Sequence, residues 1–497
     1  MGKISHASVG IELSDTEFQA DTLHRDSQGN DFELSRSATL VLAASNASDK
    51  SKAGADIVCE GTAATGGDDV DYQSLVTALP AFGGGIQFTE GYYYFSTEPD
   101  TTKRIHLNGV GKYSTIIYAA NSSNINLISS SGANDSLEIS NLMLDGNKAN
   151  NPTSGSGIVA TNFTGGNLNN VILQNFREYG ITHTGASTGW RLDSVVIAAC
   201  EKDDFSWTGG GGVWLDKCYF LTSTLNACNI WSANDIWITN SCFDQSGYNQ
   251  CAITSCGLVW ITNDYFGAGT SASYNGLLVS AANNLTLRNN KAYQNTGNGF
   301  YISGAINDAI IDGNDAYDNG QWGFRFPGMT ATNVKITNNT ARLNGVGQWS
   351  TTELGTGAVY EGNAGLIAPG EVRTDSGALT GGAQNAILFA WHNPELQDIL
   401  ITKVVVNITT LDGDAANIDV GIADNATYTN GGTEFFNDLK GETAQVNDSW
   451  TTTEGQQSLW VLCQDSASAT DGWIVGKILD DDGTSIVGSY YIEYVGK

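Results

Sequence analysis

Three tryptophans, Trp214, Trp237 and Trp260, stand at identical 23-residue steps. Their position recurs along the chain as Glu138, Asn167, Arg191, Thr286, Ile310 and Lys335. Charged and amide members mark it as outward-facing, so the three indoles are expected side by side on an outer surface, on consecutive turns of a repeat. A row about 10 Å long suits two uses. It could stack on successive sugar rings, with apolar faces against the sugars and polar neighbours on the hydroxyls, or pack against a neighbouring subunit or loop. Trp214, Trp237 and Trp260 are the candidate ligand-binding residues.

Hydrolysis of a glycosidic bond would need two carboxylates about 5 to 10 Å apart. Asp193 and Asp216 share one column of the repeat, while Glu178, Asp203 and Asp204 gather in one loop region with His183 nearby in sequence. Acidic neighbours are common in a chain with 53 Asp and Glu residues, so no catalytic residue is assigned. Asp412-Gly413-Asp414 and Asp480-Asp481-Asp482-Gly483 carry oxygen ligands that suit calcium, but they lack EF-hand spacing and read as solvated turns. The eight cysteines show no zinc spacing. Cys228 and Cys251 fall in a column shared with Ile181, Phe205, Phe300 and Phe324, and read as small buried core residues. No metal site and no cofactor is predicted.

What must position these side chains is a repeat of about 24 residues between 137 and 342. Its aliphatic anchors are Ile139, Leu168, Leu192, Leu215, Ile238, Ile261, Leu287, Ile311 and Ile336. Residues two before the anchor (Leu137, Val213, Ile236, Val259, Leu285, Val334) and five after it (Leu144, Leu173, Ile197, Phe220, Phe243, Phe266, Ala292, Ala316, Ala341) face inward by the period-2 alternation of strands. The change from bulky to small in the latter column predicts a core that narrows toward the C-terminal coils. Two after the anchor, six of nine positions are Asn, a residue that tolerates the left-handed backbone of a sharp bend and can hydrogen-bond along a stack. The leucine-rich-repeat consensus and any helical periodicity are missing. The repeat therefore predicts a right-handed parallel β-helix, an all-β solenoid whose nine coils would rise about 40 Å at about 4.8 Å each.

Upstream, Tyr72, Leu75, Val76 and Leu79 follow helical spacing up to Pro80, predicting a short capping helix. Next come Ala78-Leu79-Pro80-Ala81-Phe82-Gly83-Gly84-Gly85, a strand-like run over 86–95, and Leu107-Asn108-Gly109-Val110-Gly111. This segment resembles the one that opens pectate-lyase-like β-helix proteins, among them tailed-virus tailspikes and other virion appendages. The resemblance spans 55 to about 345. It implies the fold, and it leaves activity open among lyases, hydrolases, epimerases and structural parts. The lyases of that family imply acidic calcium ligands and catalytic arginine on one face. Here Arg177, Arg191, Arg288 and Arg325 have no acidic cluster aligned with them.

The domain boundaries predicted are a polar N-terminal segment over 1–54, either a virion-attachment segment or a leader, and the β-helix with its cap over 55–345. A Gly-rich linker over 346–370 and a β-sandwich or jelly roll over 371–497 follow. The last is read from strand-like runs over 386–391, 399–408, 418–422, 458–463, 473–479 and 489–495.

Charge and composition narrow the function classes. The net charge of −30 repels nucleic acid and anionic membranes, and no stretch has the length of a signal peptide or membrane span. Such a surface suits a salty habitat. The reading that follows is a structural virion appendage (a spike, fibre or capsid decoration), assembled as a homotrimer and joined to other virion proteins by its N-terminal segment. It would contact a host-surface glycan or receptor. The alternatives are a tailspike enzyme that cleaves host polysaccharide, as hydrolase or lyase, and a cellular carbohydrate-binding surface protein located extracellularly.

Overall fold

A computed structural model describes residues 39–99, 103–131, 136–163, 165–186, 188–350 and 356–364. It also describes 372–393, 399–410, 417–423, 435–440, 445–448, 461–463, 472–479 and 484–496, and the two-residue strands His24–Arg25 and Asp31–Phe32.

The anchor column is continuous. From Ile139 to Ile336 each anchor pairs in register with the next. It extends through Leu107, Ile86 and Leu40 at one end and to Tyr360 at the other. These strands form a 14-stranded parallel sheet, here the anchor sheet. A second sheet of 11 strands carries the column from Leu144 to Ala341 in register. The third, of 10 strands, stacks Ile181, Phe205, Cys228, Cys251, Leu277, Phe300, Phe324 and Trp349. From Ile105 to Trp349 each coil contributes one strand to each sheet and returns, which makes a three-sided parallel β-helix around one buried cluster.

The rod is longer than its repeat suggested. Thr39–Ala43 lies in the anchor sheet, inside the stretch read as a polar N-terminal segment. Gly347–Trp349 and Thr356–Glu361 continue the coils into the Gly-rich stretch. The helix Asp68–Ala78 buries Tyr72, Leu75 and Val76, with Leu79 at its end, and Tyr72 packs on Phe88 and Phe95 of the first coils.

Bends follow from left-handed residues. The position two after the anchor has φ between 52° and 68° in all nine coils, filled by six Asn together with Ser194, Lys217 and Gly313. A second left-handed bend, between the second and third sheets, recurs from Asn175 to Leu343 and accepts Ala199, Thr222 and Gln294. The inward columns of these two sheets exchange volume. Where the second sheet supplies Phe220 and Phe243, the third supplies Cys228 and Cys251; where the second falls to Ala292, Ala316 and Ala341, the third rises to Phe300, Phe324 and Trp349. The core therefore keeps its volume toward the C-terminal coils, and the expected narrowing is offset across the coil. The two cysteines are the small partners of two phenylalanines.

In the C-terminal region two antiparallel sheets form. One runs in the order Val372–Thr380, Val487–Gly496, Ile399–Thr410, Gln445–Asp448, with Val461–Cys463 also on Ile399–Thr410; the other runs Ile387–His392, Trp473–Ile478, Asn417–Ala423, Phe436–Lys440. Leu379, Val404 and Ile492 of the first share a buried cluster with Trp391, Ile418 and Ile474 of the second. Two sheets closing on one core make a β-sandwich.

Candidate functional site

Trp214, Trp237 and Trp260 are in register on the outer face of the anchor sheet, where period-2 alternation puts them opposite the buried anchors. Their rings stack on one another, 5.0 Å and 7° apart for the first pair and 5.7 Å and 21° for the second. The inner ring faces are thus occupied by neighbouring indoles, and the row presents a band of ring edges. The Arg191 guanidinium lies 6.0 Å from the centre of the Trp214 ring at one end, and Thr286 is the next residue of the column at the other. Trp260 is exposed, Trp214 and Trp237 half-buried. Among the described residues none accepts a hydrogen bond from the three indole N–H groups. Edges with outward donors suit polar, oxygen-rich partners, since the aromatic edge is the positive side of the ring quadrupole.

Glycines make room for the row. A Cβ on Gly212, φ +74°, would come within 2.8 Å of the Trp214 ring and 2.9 Å of the Gly189 Cα. The run Gly209 to Gly212 just before Trp214, which could have pointed to this close approach, was passed over in the sequence.

The acidic candidates are engaged in the scaffold. Asp216 accepts from Thr239 Oγ1 and Asn240 Nδ2 of the next coil and from Lys217 Nζ, and contacts that include these hold its carboxyl below the usual range despite the burial that opposes them. Asp312 repeats the arrangement with Thr337 and Asn338. Asp193 accepts from Ser194 Oγ. Glu178 pairs with Lys202 at 2.6 Å, and Asp203 accepts from the Asn226 amide and from Asn229. Asp204 is fully buried beside Cys200, and desolvation pushes its carboxyl well above the usual range. His183 faces the core, stacked 3.8 Å from Trp207, with desolvation lowering its pKa to about 4. The structure does not bring these residues into one open cleft. A thiol and two carboxylates, Cys59, Asp68 and Asp71, do cluster, yet both Asp68 oxygens are taken by the backbone N–H groups of Gly61 and Tyr94. Cys228 and Cys251 are buried in the core as expected. Asp412-Gly413-Asp414 and Asp480-Asp481-Asp482-Gly483 lie outside the described residues.

Three amide ladders, two of them buried throughout, escaped the sequence reading. Asn290, Asn314, Asn339 and Asn363 each donate Nδ2 to the next Asn and to an anchor carbonyl one coil back, save Asn363, which makes only the latter bond among the described residues. Asn295, Asn319 and Asn344 form a second, and Asp203, Asn226, Asn249, Asn275 and Asn298 a third.

The chain is a parallel β-helix protein. No family model matches it, and no curated protein matches it. Among solved structures it is similar to the A-module of a mannuronan C-5 epimerase from Azotobacter vinelandii, at 15% identity over 61% of this chain and 96% of that one, with a TM-score of 0.40. It is also similar to the enzymatically active domain of tailspike protein 2 from bacteriophage CBA120, at 11% identity, 86% and 81% coverage and a TM-score of 0.43. The ORF18 protein of Geobacillus virus E2 gives 13% identity, 84% and 74% coverage and a TM-score of 0.39. The neighbours of this β-helix thus include a phage tailspike, and at these values they assign no activity to the chain. Among the described residues no helix is long and apolar enough to cross a membrane.

Proposed function

We propose that this protein is a virion appendage whose β-helix rod contacts a host-surface glycan along Trp214, Trp237 and Trp260. It assembles as a homotrimer and is held to the particle by its N-terminal segment. The observation that carries the reading is the indole row itself, in register, partly open to solvent, with N–H donors that the described chain leaves unmatched. A rod built on continuous backbone ladders supports the exposed setting, because local opening of one coil breaks pairing with both neighbours.

The test is the triple variant Trp214→Ala/Trp237→Ala/Trp260→Ala, assayed for binding to host cells and to glycans from their surface. Binding is expected to weaken by about tenfold or more, with thermal unfolding and the mass by light scattering unchanged. Retained glycan binding together with a lower oligomeric mass would instead make the row a seam between subunits. A polysaccharide-cleaving tailspike is the alternative. It would release oligosaccharide from host capsule or cell wall, and the engagement of the acidic candidates in the scaffold speaks for binding over cleavage. A cellular carbohydrate-binding surface protein would bind glycan without any particle to attach to.

A further inference from the structure

The second sheet begins on three tyrosines. Tyr92 and Tyr94 stand on the outer face of Gly91–Phe95, and Tyr118 follows Tyr94 in register on the next strand. Asp145 and Gln174 continue that outward column, while Ile116 and Met143 continue the one that starts at Tyr92. The rings of Tyr92 and Tyr94 are near parallel, with centres 6.1 Å apart and planes at 11°, and the Tyr118 ring stands at 82° to Tyr94 with centres 5.7 Å apart. They make aromatic walls in two directions. A further side comes from the turn before the capping helix. Its Ala63 carbonyl accepts from the Asn121 N–H, and a Cβ on Gly66 would come within 2.3 Å of the Ser96 Cβ, so the turn is seated against the coils.

The groove between them holds about 430 Å³, within the span of about 300 to 1,000 Å³ usual for small-molecule sites. Ile116 and Met143 line it beside the rings, and Asp145 carries the one formal charge among its lining residues. No Lys or Arg stands on the eight consecutive strands of this sheet from Gly91–Phe95 to Tyr265–Gly267. Both Asp145 oxygens are engaged: Oδ1 accepts from the Asn147 N–H at 2.8 Å, and Oδ2 from Gln174 Nε2 at 2.7 Å and Asn175 Nδ2 at 3.1 Å. Its charge therefore reaches the groove as a field more than as a hydrogen-bonding partner. Burial raises the Tyr94 and Tyr118 phenols above their usual pKa, and the carboxylates of Asp68 and Asp145 respectively push the same way.

We propose that this groove binds a methylated ammonium group, the quaternary nitrogen of a choline-type ligand. Tyrosine ring faces and a nearby carboxylate attract positive charge, and the methyl groups pack on Ile116 and Met143. A quaternary nitrogen has no N–H to satisfy, which matches a carboxylate whose oxygens are already taken. A primary ammonium would give up strong hydration without an equivalent bond in return. The site lies on another sheet than the tryptophan row, takes another ligand chemistry, and does not rest on the proposed function.

Ligand-observed NMR on the full chain at constant ionic strength tests it, with choline, ethanolamine and dimethylbutanol, the neutral isostere in which carbon replaces the choline nitrogen. Choline is expected to bind about tenfold or more tightly than either of the other two. Tyr92→Leu and Tyr118→Leu, which keep apolar bulk and remove the ring, are each expected to cut that preference about threefold or more. Tyr118→Phe is expected to keep it, because the ring and not the hydroxyl attracts the cation. Tyr92 is the most exposed of the three rings, so its variant reads binding even where a deeper one disturbs folding. Equal binding of choline and dimethylbutanol, ethanolamine binding as tight as choline, no binding of choline at all, or a preference that survives Tyr92→Leu and Tyr118→Leu with native unfolding behaviour would each overturn the proposal.

Discussion

Asp264 occupies the first position of a ladder whose later members are all asparagine. Its Oδ1 accepts from the Ser241 N–H at 2.6 Å, as Asn314 Oδ1 accepts from Asn290, and its own N–H donates to Asn290 Oδ1. Where the asparagines point Nδ2 at an anchor carbonyl, Asp264 has Oδ2, buried and without a hydrogen bond. Only the protonated acid supplies a donor there, and desolvation pushes its pKa up to about 8. A folded value above the unfolded one near 3.9 means that stability is fully present below about pH 4 and is lost as pH rises toward about 8. Asp264→Asn keeps the shape and provides the donor at every pH. Thermal unfolding of this variant should therefore be more stable than wild type at pH 8, with a shallower decline between pH 5 and 8. A decline as steep as wild type would place the titration elsewhere.

At the scale of the element, the coil works as a volume exchange between its second and third strands. Phe324→Ala removes a stacked, fully buried ring and should cost about 3 to 5 kcal/mol, while Ala316→Phe alone should overpack and cost about 1 to 3 kcal/mol. The double variant restores total volume and should lose less than the two costs summed, measured by chemical denaturation; strict additivity would show that the two columns do not compensate. This coupling also marks how far the sequence could be read. The anchors were legible because strand alternation is strict and all nine are Leu or Ile. Asn141 and its stack were legible because a left-handed bend selects for Asn. The second bend selects nothing visible, since Ala199, Thr222 and Leu343 take the same backbone angle. The first buried ladder was hidden because its column runs Leu142, Val171, Val195, Cys218, Ser241 and Asp264 before it turns to Asn. The edge-on presentation of the indoles depends on side-chain torsion, which spacing does not encode.

For the whole molecule, 53 acidic residues face 23 basic ones, and among the described residues the ion pairs that form are partly open to solvent. Self-repulsion of that surface should be screened as the Debye length falls from about 30 Å at 0.01 M salt to about 3 Å at 1 M. The melting temperature should rise by several degrees over that range, and an unchanged value would remove repulsion as a factor in stability. The in-register stacking of every anchor from Leu40 to Tyr360 has a consequence of another kind. Because the anchor column does not slip from coil to coil, one whole coil could be excised or duplicated and the anchor ladder would close again on its equivalent. The reach of the rod is then a quantised quantity, adjustable in steps of about 4.8 Å. The distance along its axis between the indole row and the end of the rod could be retuned by inheritance of whole coils, with the row itself left intact.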